Sequence, residues 1–137
     1  MLSLVPGVVV EHIGATALAS GMTKGDVDLN VRVALERLGE VTDALGEMGS
    51  PAQYQSWTAT FTSLRSDRYA LALGVQVTAI DGPEDFFVLI RNAMRASPEL
   101  AASYDRCKRA AAPLGPQRYW EAKDRFLGEL LVTLGQR

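Results

Sequence analysis

Lys24-Gly25-Asp26-Val27-Asp28-Leu29-Asn30-Val31-Arg32-Val33 holds an apolar run with strict two-residue alternation. As a β-strand it points Val27, Leu29, Val31 and Val33 to one face and projects the Asp26 and Asp28 carboxylates together from the other. Parallel carboxylates are the minimum needed to hold Mg²⁺ through oxygen ligands beside a nucleotide's phosphates. Without a cation between them they repel one another. Upstream, Val8-Val9-Val10-Glu11-His12-Ile13 reads as a second strand that delivers Gly14 to a turn. Glycine lets backbone N–H groups approach a phosphate closely; Gly14 and Ala15 would offer theirs, Thr16 a hydroxyl and Lys24 a positive charge. Each piece also has a plain structural use. Aspartates two apart protect strand edges as solvated charges, and short glycine turns are common. Their conjunction points to a phosphate or nucleotide site.

A chain of 137 residues, 47% of them apolar, suits one domain spanning 1–137 with a real core and argues against disorder. Its 14 basic and 16 acidic groups leave a formal charge of −2 and no global basis for non-specific nucleic-acid binding. The charges are unevenly spread: residues 1–50 carry seven acidic and three basic side chains, residues 104–137 four and seven. If the C-terminal segment folds over the aspartates, Arg106, Lys108, Arg109, Lys123 and Arg125 could line the route of an anionic substrate. The single cysteine, Cys107, excludes an internal disulfide, and the single histidine, His12, excludes a multi-histidine zinc centre. Burial is expected for Cys107 and a structural hydrogen bond for His12. No positively charged leader and no run of about twenty apolar residues is present, so the expectation is a soluble cytoplasmic protein with no membrane partner.

Leu35, Leu38, Val41 and Leu45 recur at helical spacing, predicting a helix over about 34–48 that ends near Gly49 and Pro51. Trp57–Phe61 reads as a short strand with both aromatics in the core, residues 65–68 as a polar turn, and Ala70–Ile80 as a long strand. A helix over Pro83–Ala96 follows. Ser97-Pro98 then starts another, with serine as N-cap and proline in the first turn, running to about Ala111. A last helix covers roughly 117–134 after the break at Pro113, Gly115 and Pro116. The fold class is therefore α/β, with packed helices and a helical C-terminal portion.

Glu11-His12-Ile13-Gly14-Ala15-Thr16-Ala17, Lys24-Gly25-Asp26-Val27-Asp28, Ser97-Pro98-Glu99-Leu100-Ala101 with Tyr104 and Lys108, and Tyr119-Trp120-Glu121-Ala122-Lys123-Asp124-Arg125-Phe126 together resemble the GrpB (UPF0157) family. That family is similar to the nucleotidyltransferases. The resemblance implies a nucleotidyltransferase-like fold, a small mixed β-sheet with helices packed against it, and a nucleotide-binding cleft containing Gly14, Asp26 and Asp28. It also implies a metal-dependent nucleotidyltransferase that would use Mg²⁺ and a nucleoside triphosphate on an unknown acceptor. Two departures stand against full activity. Gly14-Ala15 replaces the superfamily's usual Gly-Ser, and the later strand, where a third carboxylate is usual, offers Gln76 and Thr78. Asp81 lies just past that strand and could substitute only if the strand end bends toward the site. The alternatives are a catalytically weak or inactive nucleotide-binding or regulatory protein, and a structural protein-interaction domain. Tyr104 and Lys108, like Tyr119 and Lys123, are four apart on one helical face. Either lysine could meet a phosphate in the cleft, or both could snorkel while the rings seal the helices.

Overall fold

The computed structural model describes residues 8–14, 17–18, 27–68 and 72–135. Five strands, β1 (Val9–Ile13), β2 (Val27–Val33), β3 (Ser50–Pro51), β4 (Phe61–Ser66) and β5 (Leu73–Ala79), form one sheet in the order β1-β2-β5-β4-β3. β2 and β5 run parallel and the other neighbours antiparallel. Four helices accompany them: α1 (Leu38–Leu45), α2 (Phe87–Ala96), α3 (Pro98–Ala111) and α4 (Pro116–Thr133).

The alternation in β2 sorts the sheet into two unlike faces. Val31 and Val33 pack with Leu64, Leu73, Val75, Val77 and Ala79 beneath Leu38, Val41 and Leu45 of α1. A hydroxyl pair sits in this layer, where Thr42 Oγ1 lies 2.7 Å from Thr62 Oγ1 and also donates to the Leu38 carbonyl. The opposite face carries Asp28, Asn30 and Arg32 of β2, which register with Gly74, Gln76 and Thr78 of β5. Helix α2 covers it, with the Phe87 ring stacked 6.3 Å from that of Phe61. Helices α3 and α4 pack chiefly on each other and on α2, as an outer layer. Ser97 caps α3 as its sequence predicts, accepting from the Leu100 N–H at 3.1 Å.

Three boundaries depart from the sequence reading. Trp57 lies outside the strand that starts at Phe61; it is half-buried, donates Nε1–H to the Ala52 carbonyl and meets the Tyr54 ring edge-on. Only Phe61 of that aromatic pair is a core residue. Arg65 and Ser66 continue β4 rather than forming a turn. Helix α2 starts at Phe87 instead of Pro83 because Asp85 is committed elsewhere. Its carboxylate takes a two-pronged contact from Arg32, at 2.8 Å from Nε and 2.7 Å from Nη2, and accepts from the Asp81 N–H at 2.8 Å.

The Arg32 hydrogen bonds hold the Asp85 carboxyl below the ordinary carboxylate range, against the opposing effect of burial and with help from the Asp81 N–H. A folded-state value below the unfolded one means the unfolded chain binds more protons through that interval. The clamp is thus fully effective above about pH 4 and is lost as pH falls through the folded-state value. Asp85→Asn is expected to cost about 2 kcal/mol near neutral pH, since the Asp85 side chain is only 5% exposed. Denaturant melts from about pH 6 down to 2 should show the gap between the variant and the unaltered protein closing below about pH 4; a gap independent of pH would remove the clamp from the stability of this fold.

Candidate functional site

Strand β1 ends at Ile13 and hands the chain to Gly14, whose φ of +77° lies in the left-handed region. The turn is closed by the Ala17 N–H donating to the Gly14 carbonyl at 3.1 Å. Asp28, second residue of β2, registers with Ile13 on one side and Gly74 on the other. A Cβ built on Gly14 would stand 2.7 Å from Asp28 Oδ2, and one built on Gly74 would stand 2.5 Å from Asp28 Oδ1. Both glycines thus make room for the same carboxylate, one beside each oxygen. An isolated glycine inside an apolar strand signals close approach, so Gly74 had a sequence signal that only the register explains.

The next row across the same face is Glu11, Asn30, Gln76 and Ser63. Asn30 is fully buried and donates Nδ2–H to the Gln76 carbonyl and to Thr78 Oγ1, both at 3.0 Å. A backbone carbonyl can only accept, which fixes the orientation of the Asn30 amide. Asn30 Oδ1 and Gln76 Oε1 are consequently buried acceptors without a hydrogen-bond partner among the described residues. The Gln76 amide nitrogen lies 3.8 Å from the Cβ position of Gly74, which Asp28 Oδ1 also borders.

Cations reach the Gly14 turn from α2, an element whose sequence carries no signal of that contact. Arg91 Nη1 donates to Glu11 Oε1 at 2.7 Å and to the His12 carbonyl at 3.2 Å. One helical turn later, Arg95 places Nε and Nη2 on the Ala17 carbonyl at 3.1 and 3.0 Å. His12 itself registers with Leu29, on the α1 side of the sheet, away from the Asp28 carboxylate.

Ala15, Thr16, Lys24 and Asp26, the other residues expected at this site, lie outside the described residues. The helical pairs do form. Lys108 Nζ lies 4.6 Å from the Tyr104 ring centre, and Lys123 Nζ lies 4.5 Å from Trp120 and 5.4 Å from Tyr119. Tyr104 also packs 5.0 Å from Phe126, joining α3 to α4. Burial pushes the Lys108 ammonium down from its ordinary value, partly offset by Asp105, and pushes the Tyr104 phenol up. Arg109 is spent on Asp105 at 2.7 Å. Asp81 cannot supply a third carboxylate: it follows β5 at the end opposite Gly74, about 20 Å away at the rise of a β-strand.

Among the described residues no cluster of three or more His, Cys, Asp or Glu is placed to hold an ion. Asp28 with neutral amide oxygens nearby fits a Mg²⁺ that arrives already held by a ligand's phosphates.

A mixed sheet with one apolar and one polar face, a glycine turn beside a strand-borne carboxylate, and an all-helical C-terminal layer define the class. The profile of the family described as GrpB protein matches residues 1–132, and the chain belongs to that family. A UPF0157 protein of Vibrio cholerae serotype O1 is 25% identical over 129 residues, covering 94% of this chain and 69% of its own length. The crystal structure of the conserved protein GrpB from Enterococcus faecalis shares the fold, with a TM-score of 0.66 at 20% identity over 93% of this chain and 85% of that one. No helix among the described residues is long and apolar enough to cross a membrane.

Proposed function

We propose that this chain is a nucleotide-binding, regulatory member of its family that takes a nucleoside triphosphate with Mg²⁺ at the Gly14 turn and has little or no transferase activity. One observation carries the reading: β5 sets Gly74 and Gln76 beside Asp28, where a transfer centre needs a further anion. In-line transfer builds charge on attacking and leaving oxygens together, and a neutral amide brings none of the negative charge with which a further carboxylate would hold the offsetting ion. In this reading the Gly14 and Ala15 N–H groups receive phosphate and Thr16 and Lys24 orient it. Asp26 and Asp28 face the Mg²⁺ carried by the ligand. Lys108 and Lys123 lie against aromatic rings of their own helices, while Tyr104 and Phe126 join α3 to α4.

The test pairs calorimetry of Mg²⁺ complexes of ATP, GTP, CTP and UTP with a pyrophosphate-release assay. The expected result is binding of at least one nucleotide without turnover, weakened about tenfold or more by Asp28→Asn. Turnover that disappears in Asp28→Asn would replace this reading with a metal-dependent nucleotidyltransferase. Failure of all four nucleotides to bind would leave a protein-interaction domain.

A further inference from the structure

Arg91 and Arg95 stand one helical turn apart on α2, yet their environments differ. Arg91 is neutralised by Glu11 and places Nε and Nη2 on Asn92 Oδ1, in addition to the contacts of Nη1. Its side chain is 12% exposed. Arg95 is exposed, and both of its hydrogen bonds go to a single uncharged acceptor, the Ala17 carbonyl. A guanidinium has five N–H groups in a rigid fork. Two are used on the turn, three remain, and no carboxylate among the described residues pairs with the charge. The carbonyl that anchors Arg95 belongs to the residue whose N–H closes the Gly14 turn. The fork is therefore held by one edge against that turn with its other edge free, the arrangement a phosphate meets with two parallel hydrogen bonds.

We propose that Arg95 is the phosphate-binding side chain of this site, contacting the ligand's polyphosphate from α2 across the Gly14–Ala17 turn. The proposal rests on the reading that a phosphate-bearing ligand occupies that turn. It makes α2 one wall of the binding site, and it assigns the neutralising charge to a side chain already fixed before the ligand arrives.

The experiment measures binding of Mg·ATP and of inorganic triphosphate, a base-free probe, to the unaltered chain, Arg95→Gln, Arg95→Lys and Arg91→Gln across a salt series. Arg95→Gln is expected to weaken both probes about tenfold or more and to flatten the dependence of affinity on salt. Arg95→Lys keeps the charge, loses the fork and should fall between. Arg91→Gln, which breaks a turn-side ion pair, should lower thermal stability while leaving the salt dependence in place. Equal weakening by Arg91→Gln and Arg95→Gln with an unchanged salt dependence would reduce Arg95 to a fastener of the turn and overturn the proposal. So would unaltered binding in Arg95→Gln. If the unaltered chain binds neither probe, the phosphate reading of the site itself falls, a result distinct from the other two.

Discussion

Gly74→Ala is expected to lower stability by about 1–3 kcal/mol and to abolish ligand binding, although alanine ordinarily suits a strand better than glycine. The added Cβ would sit 2.5 Å from Asp28 Oδ1, far inside contact distance. Asp28 is short, so the clash cannot be absorbed by bending a long chain aside. Its other oxygen is already confined by the Gly14 turn, where a Cβ would stand 2.7 Å away. The carboxylate must leave its place or β2 and β5 must part. A double-mutant cycle separates this cause from a general intolerance of β5. In an Asp28→Ala background, Gly74→Ala should become neutral or stabilising by about 0.5 kcal/mol. Denaturant unfolding of the four proteins gives the answer, and an equal cost in both backgrounds would show that the glycine serves something other than the carboxylate.

Gln76→Glu tests the missing anion directly. The Gln76 amide and the Asp28 carboxylate both border the Cβ position of Gly74, so a glutamate at position 76 would bring two carboxylates onto one sheet face. With no cation present, mutual repulsion and burial should cost about 1–2 kcal/mol and raise the pKa of one carboxyl. Millimolar Mn²⁺ or Mg²⁺ should then reverse the loss, giving the variant a metal-dependent rise in melting temperature larger than that of the unaltered chain. The same substitution should leave stability nearly unchanged if Gln76 faces away from Asp28. Metal-independent melting with full stability would disprove the proximity.

The elements whose signals are local were legible in the sequence. The valine parity of residues 27–33 marked the core face of β2, and Ser97-Pro98 marked the start of α3. The Tyr–Lys spacing correctly put each pair on one side of its helix. Boundaries set by distant partners were not legible. Nothing near Pro83 shows that Asp85 will be claimed by Arg32, and nothing near Trp57 shows that its indole will turn back to Ala52. The candidate site divides in the same way. Gly14 and Asp28 stood out because a glycine turn and a strand-borne carboxylate, each common alone, follow one another closely in the sequence. Gly74, the orphaned oxygens of Asn30 and Gln76, and the α2 arginines acquire meaning only from the pairing of β2 with β5 and from the path of α2.

That parallel pairing also orders events in time. Asn30 and Gln76 bond across 46 positions of chain, and the intervening segment carries α1, β3 and β4. Closing so long a loop is entropically expensive before any contact rewards it, whereas the β4–β5 hairpin closes over a short one. The carboxylate cradle therefore does not exist in a half-made chain. On the ribosome, a nascent chain exposes Asp28 before Gly74 has been synthesised, so the proposed site is complete only once this long-range strand pairing has formed. Competence for the proposed ligand would in this sense be a late product of folding, and a chain stalled with β2 unpaired would lack the site even with most of its helices formed.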